Sequence, residues 1–271
     1  MKTAKAEGEG IIERAISFER QAHQLRTEDK IEEAFAAYDQ AGALYREAEE
    51  SLKAAVCYAS AATCWNMRTG WQPLRNAATR NDYAAHEALK AGHFDYACSL
   101  FGEAALLYEK EGDFNNYSNC FWWSQIADAR RSWSVFVHRK KDVGLSFSND
   151  AGWRERLTAF FRWFLNIFGR ISWGYGERPL RTLVLGAVII FGTAVIYAVS
   201  GSSILVNGVA RAISFPESLY LSIVTFTTVG FGDYLPLGWT RILAAHEALA
   251  GIFLTPLFLV ALTRRYLRMY R

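Results

Sequence analysis

The chain has 271 residues, enough for one or two domains, and a formal net charge of +3 at pH 7, which gives no support to nucleic-acid binding. Residues 1–150 are charged and rich in alanine, whereas residues 175–263 carry few charges. The four cysteines lack CxxC spacing and are typical of small apolar core residues. No nucleophile–base pair or metal-ligand constellation stands out, so we expect neither an enzyme nor an organic cofactor.

The N-terminal region shows an internal repeat, in which the segment that starts at position 31 aligns with the segment that starts at position 94. Its Ala-x3-aromatic-x2-Ala spacing resembles the second helix of a tetratricopeptide repeat, and the region resembles a tetratricopeptide or SNAP-like helical array. The interval between the two copies approximates two helix pairs of the usual period of about 34 residues. The aligned positions are Ile31, Ala34, Tyr38, Ala41, Leu44, Tyr45 and Cys57 with Phe94, Ala97, Phe101, Ala104, Leu107, Tyr108 and Cys120.

We therefore predict a cytoplasmic helical-repeat domain over residues 1–150. A stacked array of helices offers a concave surface for a partner. Two roles stay open at this point: the domain binds an unidentified protein or ligand, or it only assembles the protein into a tetramer.

Residues 151–177 are predicted to form an amphipathic helix and a linker. Apolar residues recur at helical spacing between Trp153 and Trp173, and four arginines lie among them. Such a helix is typical of a segment that lies at the inner membrane surface and contacts membrane lipids. The alternative is that this helix packs against the N-terminal domain. The apolar residues are Leu157, Phe160, Phe161, Phe164, Leu165 and Phe168, and the arginines are Arg154, Arg156, Arg162 and Arg170.

Two membrane spans are predicted in the C-terminal part. The uncharged run 182–200 would extend roughly 28 Å as a helix, close to the ~30 Å hydrocarbon core. A second span covers about residues 239–262 and carries His246 and Glu247. Arginines precede the first span and follow the second, which predicts that both termini are cytoplasmic in a plasma or inner membrane.

The segment between the two spans predicts a re-entrant helix and loop. Ser214 and Glu217 form a capping-box pattern, with Pro216 in the first turn. The apolar run that follows is too short to cross the bilayer, and it ends at the glycine-rich segment 228–233. Non-helical backbone at membrane depth must be buried in protein or line a water-filled path.

That glycine-rich segment reads Thr228-Val229-Gly230-Phe231-Gly232-Asp233 and resembles the selectivity filter of potassium channels. The order of span, capped helix, filter and glycine-bearing span resembles the two-transmembrane, inward-rectifier-like potassium channel pores of bacteria. The resemblance covers about residues 178–265. It implies an all-α pore domain over 178–271, a homotetramer, and K+ as the permeant ion, coordinated by Thr228, Val229, Gly230 and Phe231.

The resemblance also assigns supporting roles. Gly232, Asp233, Tyr220 and Thr227 would hold the filter loop, with Tyr220 hydrogen-bonded to Asp233. Phe231 stands where tyrosine is commoner in the family, which removes one hydroxyl behind the filter.

Three residues of the second span are candidates for support and gating. Glu247 could support the pore helix from behind, or be a carboxylate bonded to backbone amides without a regulatory role. Gly251 is a candidate gating hinge, with helix packing as the alternative, and Pro256 after Thr255 should kink the helix. His246 is a candidate partner of Glu247, with a position facing the lipid headgroups as the alternative.

The sequence thus predicts an all-α, potassium-selective channel whose N-terminal domain gates or assembles it. Two rivals remain. One is a membrane-anchored helical-repeat scaffold with a non-conducting pore, and the other is a weakly selective cation channel.

Overall fold

The computed structural model divides into two compact units, 1–167 and 168–271. The predicted all-α class is confirmed, with helices dominating both units. The predicted domain boundary at residue 150 lies in the segment 139–151, outside the described residues. The structure describes residues 2–67, 71–138, 152–172, 174–176, 178–201, 203–206 and 208–269.

The first unit is a series of helices, and the links between them that the structure describes are short turns. Among its first six helices, each packs mainly against its neighbours in that series. Buried alanines line these contacts and let the helix backbones approach closely. The helices are α1 (Lys2–Thr27), α2 (Ile31–Glu47), α3 (Ser51–Asn66), α4 (Trp71–Lys90), α5 (Phe94–Glu111) and α6 (Phe114–His138), followed by α7 (Trp153–Ser172), which continues into the second unit.

The internal repeat corresponds to a three-helix unit. Helices α2 and α5 begin at positions 31 and 94, α3 and α6 begin at 51 and 114, and α1 and α4 end at 27 and 90, so all three pairs are displaced by the same interval. The expectation of two helix pairs in this interval is therefore wrong, because each repeat holds three helices, α1 to α3 and then α4 to α6. Three helices fill the interval that four were expected to share, since each of them is longer than a helix of a two-pair arrangement would be.

The turns of the two repeats also correspond. Asp29 and Gly92 have φ values of +60° and +81°, and Glu49 and Gly112 have φ values of +60° and +85°. Each residue ends a helix in the left-handed conformation, which glycine adopts without the penalty that a Cβ imposes. The second repeat thus carries glycine at both turns, and the first repeat carries an acidic residue.

Reciprocal substitutions test this difference. We expect Gly112→Ala to lower the stability of its turn by about 1–2 kcal/mol, because alanine is strained in the left-handed backbone conformation. A steric clash adds nothing to this cost, since no atom lies within 4 Å of the added Cβ. Glu49→Gly should stabilise the equivalent turn. Hydrogen exchange of the Asp113 amide, which donates to the Tyr108 carbonyl at 2.9 Å, reports the effect in the full chain. Gly102→Ala, inside α5, is the control and should not speed this exchange.

Helix α7 has two different faces within the first unit. One face packs on α6, where the Trp133 and Trp163 rings lie 4.8 Å apart and Arg156 donates to the Phe136 carbonyl at 3.1 Å. The opposite face leaves apolar side chains about half exposed, including Phe161 and Leu165. Packing against the N-terminal helices is therefore present, while contact of the exposed face with lipid stays a prediction. Trp173 lies outside the described residues.

In the described part of the second unit, three helices after α7 accompany a small sheet. A single 3₁₀ turn (Gly174–Gly176) precedes α8, and three short strands pair antiparallel in the order β2-β1-β3. Helix α9 packs against both α8 and α10. The elements are α8 (Pro179–Val199), β1 (Ile204–Val206), β2 (Val209–Arg211), α9 (Phe215–Phe226), β3 (Tyr234–Pro236) and α10 (Thr240–Met269).

Two helices of this unit are long and apolar enough to span a membrane, α8 and the segment 240–263 of α10. Their apolar side chains are mostly uncovered rather than buried in a protein core. Along α8, Leu180, Val184 and Val188 recur on one face, each more than 60% exposed. An uncovered face of this kind is typical of a helix that contacts lipid.

Candidate ion-conducting pore

The short helix α9 begins where its capping residues predict. Glu217 accepts hydrogen bonds from the backbone N–H and the hydroxyl of Ser214, both at less than 3.0 Å. Pro216 occupies the first turn, where its missing N–H costs nothing. The helix has 12 residues and ends at Phe226, immediately before the glycine-rich loop. We call α9 the pore helix and residues 227–233 the filter loop.

The backbone dihedral angle φ alternates in sign along the filter loop. Thr228, Gly230 and Gly232 have φ values of +58°, +55° and +81°, while Val229 and Phe231 between them do not have positive φ. Alternation of this kind turns successive carbonyls toward one side and successive side chains toward the other. Glycine explains two of the positions, but Thr228 carries a Cβ and is strained there by about 1–2 kcal/mol.

The filter loop is anchored to the pore helix at its start. The backbone N–H groups of Val229 and Gly230 both point at the Val224 carbonyl, at 3.1 and 3.4 Å. The side chains of Val229 and Phe231 are 56% and 71% exposed in the single chain. A single copy of this loop therefore leaves its apolar side chains uncovered.

Polar contacts hold the other end of the filter loop. The Asp233 carboxylate lies within interaction range of the Tyr220 hydroxyl of the pore helix, the pairing that the resemblance implies. The ring of Tyr234 lies 5.6 Å from that of Tyr220, and its hydroxyl donates to Glu217 at 3.2 Å. Whether these residues support conduction stays a prediction.

Glu217 is also paired with Arg211 of β2, and the pair gives a pH prediction. The Arg211 guanidinium and the Ser214 N–H and hydroxyl lower the pKa of Glu217 to about 2. Because folding lowers the pKa of Glu217, its carboxylate stabilises the folded state at pH values above 4.5, the ordinary pKa of the group. This contribution is lost as the pH falls toward 2. We expect the melting temperature of the full chain in detergent to fall below pH 4.5, and less steeply in Glu217→Gln. Equal slopes in both proteins would contradict this account.

Glu247 joins all three helices of the unit. It lies on α10, is only 2% exposed, and accepts hydrogen bonds from Ser222 of the pore helix and from Thr193 and Tyr197 of α8. The Tyr197 hydroxyl lies 2.9 Å from its second carboxylate oxygen. We call these four side chains the polar clamp. Its donors are side-chain hydroxyls, not the backbone amides of the alternative interpretation.

Gly251 lies one turn after Glu247 and touches the end of the pore helix. A Cβ at Gly251 would overlap the backbone carbonyl oxygen of Phe226. The Phe226 ring in turn faces Gly186 of α8, where an added Cβ would lie 3.3 Å from it. The end of the pore helix thus packs between two glycines. In this conformation Gly251 allows close helix packing, which is the alternative to a hinge. Its role as a hinge stays a prediction.

The remaining residues of α10 are more exposed. Thr255 and Pro256 are exposed, and α10 continues through the proline. His246 is exposed, and its Nδ1 lies 2.7 Å from the Ile242 carbonyl of the same helix. His246 is therefore not the hydrogen-bond partner of Glu247 in this structure.

Sequence reasoning missed two features of this region. One is the partner set of Glu247, for which the signal was present: Thr193 and Tyr197 lie four residues apart in an otherwise apolar span, and polar residues in such spans face other helices. The other is the three-stranded sheet, because strands of three residues are too short for a periodic pattern.

Comparisons with known proteins agree with this geometry for one part of the chain. Residues 183–268 match a protein family described as "Ion channel". The matched region runs from α8 to α10 and includes the pore helix, the filter loop and the polar clamp. It supports an ion-channel pore in the second unit and covers about a third of the chain. No curated protein and no solved structure matches the chain significantly.

Proposed function

We propose that the protein is a potassium-selective channel, assembled as a homotetramer in the cell membrane with both termini in the cytoplasm. The observation that carries the proposal is the filter loop. Its backbone φ is positive at every second residue, Thr228, Gly230 and Gly232. The loop follows a capped helix of 12 residues that lies between two apolar helices in the sequence. A column of carbonyls aimed to one side suits an ion that has lost its water shell.

Four copies of the loop would complete the pore. The carbonyls of Thr228, Val229, Gly230 and Phe231 would replace the hydration shell of K+. The carboxyl end of the pore helix carries partial negative charge, which favours a cation below the filter. Conduction is passive, so the chain needs no catalytic group.

The exposed surfaces of the single chain support the tetramer. Val229 and Phe231 of the filter loop are both exposed, and contiguous exposed apolar side chains are typical of an interaction surface. Beside the filter loop lies a cavity of about 360 Å³, which is lined by the pore helix, the loop, β3 and Ala248 of α10. Neighbouring copies would cover both. One chain encloses no axial path, so a pore requires several.

The first unit would gate or assemble the channel. Its stacked helices suit either role, and an unidentified protein or ligand would act on it from the cytoplasm. The gate itself is assigned to α10, with Thr255 and Pro256 beyond the contact of Gly251 with the pore helix.

Flux measurements on the full chain in lipid vesicles test the proposal. K+ efflux that barium blocks, together with absent Na+ flux, would support it. Equal K+ and Na+ flux would favour the weakly selective cation channel. The absence of any flux from a tetrameric protein would favour the scaffold with a non-conducting pore.

A further inference from the structure

The polar clamp has an unusual arrangement for a carboxylate inside a membrane helix. A charged group near mid-membrane costs about 2.5–3.5 kcal/mol on insertion scales, so such residues are normally paired. Among the residues that the structure describes, the recorded partners of Glu247 are three hydroxyls and no cation. Each partner comes from a helix other than α10. The carboxylate therefore acts as a shared acceptor between helices.

Ser222 is the member of the polar clamp that lies on the pore helix. It is fully buried, and its Oγ lies 2.8 Å from the Thr193 hydroxyl and 2.8 Å from the Ile190 carbonyl, besides its bond to Glu247. One hydroxyl carries a single proton, and a carboxylate is a stronger acceptor than a carbonyl. The Ser222 proton is therefore directed to Glu247, and the same argument directs the Thr193 proton to that carboxylate.

A second contact lies one turn along the same two helices. Glu247 meets Ser222, and Gly251 meets Phe226, so both pairs are spaced by four residues. Residues four apart lie on the same face of a helix. The register of α10 against the pore helix is thus defined at two points, and the second point directly precedes the filter loop.

We propose that Glu247 is a positioning residue that acts through Ser222 to hold the pore helix, and with it the filter loop, in the geometry that distinguishes K+ from Na+. This inference rests on the proposed channel function. Ion preference in this chain then depends on a carboxylate outside the filter as well as on the filter residues. The Tyr197 hydroxyl serves a different purpose, because it joins α8 to α10 without touching the pore helix.

Removal of single hydroxyls separates positioning from general stability. Ser222→Ala and Tyr197→Phe each delete one donor to the same carboxylate. A hydrogen bond between membrane helices averages about 0.6 kcal/mol, which corresponds to about threefold. We expect Ser222→Ala to lower the K+/Na+ flux ratio about threefold. Tyr197→Phe should lower the melting temperature of the tetramer and change the flux ratio less than Ser222→Ala does, because it deletes no bond to the pore helix.

Glu247→Gln extends the test. The glutamine NH2 group is a donor and cannot accept the hydrogen bonds of the hydroxyls that it faces. We therefore expect the K+/Na+ flux ratio to fall about tenfold, while a tetramer is still observed by gel filtration. The double variant with Ser222→Ala should be no worse than Glu247→Gln alone, because both act through one contact. Thr193→Ser, which keeps its hydroxyl, should retain more selectivity than the near-isosteric Thr193→Val. His246→Gln, at an exposed neighbour, is the control and should behave as the wild type.

The outcomes separate this inference from the proposed function. Wild-type protein without K+ flux would overturn the proposed function and the inference together. Selective wild-type flux with an unchanged K+/Na+ ratio in both Ser222→Ala and Glu247→Gln would overturn the inference alone. Equal losses of selectivity in Ser222→Ala and Tyr197→Phe would also overturn it, because the effect would then follow stability and not the pore helix.

Discussion

Replacing Gly251 by alanine is expected to have the largest effect of any single methyl group added to the pore. The new Cβ would overlap the Phe226 carbonyl oxygen, which is backbone and cannot rotate away. Overpacking of this kind costs about 1–3 kcal/mol or more per chain, and four chains would meet in the tetramer. We expect little or no tetramer on gel filtration, and K+ flux near the background of empty vesicles.

Other glycines of the second unit provide matched controls. Gly192 lies in α8 with no atom within 4 Å of an added Cβ, so Gly192→Ala should leave the tetramer and its flux unchanged. Gly186→Ala should be intermediate, because the Phe226 ring can shift by the few tenths of an ångström required. If Gly251 acts only as a hinge, Gly251→Ala would form normal tetramers with altered opening, and that result would contradict the packing account.

Gly232→Ala is the second substitution with a large expected effect. Gly232 has a φ of +81°, so alanine would strain this backbone by about 1–2 kcal/mol. The strain falls on the loop whose carbonyls would coordinate K+, and each tetramer would contain it four times. We expect tetramers to form while K+ flux falls at least about tenfold and selectivity over Na+ is lost, both measured in vesicles.

Gly238→Ala is the control for this substitution. Gly238 has a φ of +58° and open space around its Cβ position, but it lies after β3, outside the filter loop. The same backbone strain should therefore lower stability without changing the K+/Na+ flux ratio. Normal selectivity in Gly232→Ala, or lost selectivity in Gly238→Ala, would contradict the role given to the filter backbone.

Much of the second unit could be predicted from the sequence, because its signals are local. Length and uniform apolarity indicate the spans, and Ser214 and Glu217 lie three residues apart and define the start of the pore helix. The spacing of apolar residues likewise predicts α7 over nearly its whole length. In each case the information lies within one element, so no knowledge of its neighbours is needed.

Features that depend on contacts between elements could not be predicted in the same way. Glu247 could be recognised as costly in a membrane, and Thr193 and Tyr197 as polar positions in an apolar span. That these side chains meet follows from how α8, α10 and the pore helix are rotated against each other. The contact of Gly251 with Phe226 has the same origin. In the first unit, the interval between the two repeats fits four short helices or three longer ones equally well. Only the positions of the turns decide between them.

The anchoring of the filter loop at both ends sets a limit on its length. Upstream, Val229 and Gly230 are tied to the Val224 carbonyl. Downstream, β3 pairs with β1, and the Leu237 N–H donates to the Ser203 carbonyl at 2.7 Å. Only a few residues lie between these attachments. An insertion or deletion there would therefore displace the attached residues themselves. A change of length is therefore expected to disturb this loop more than the same change at the turn that contains Gly208.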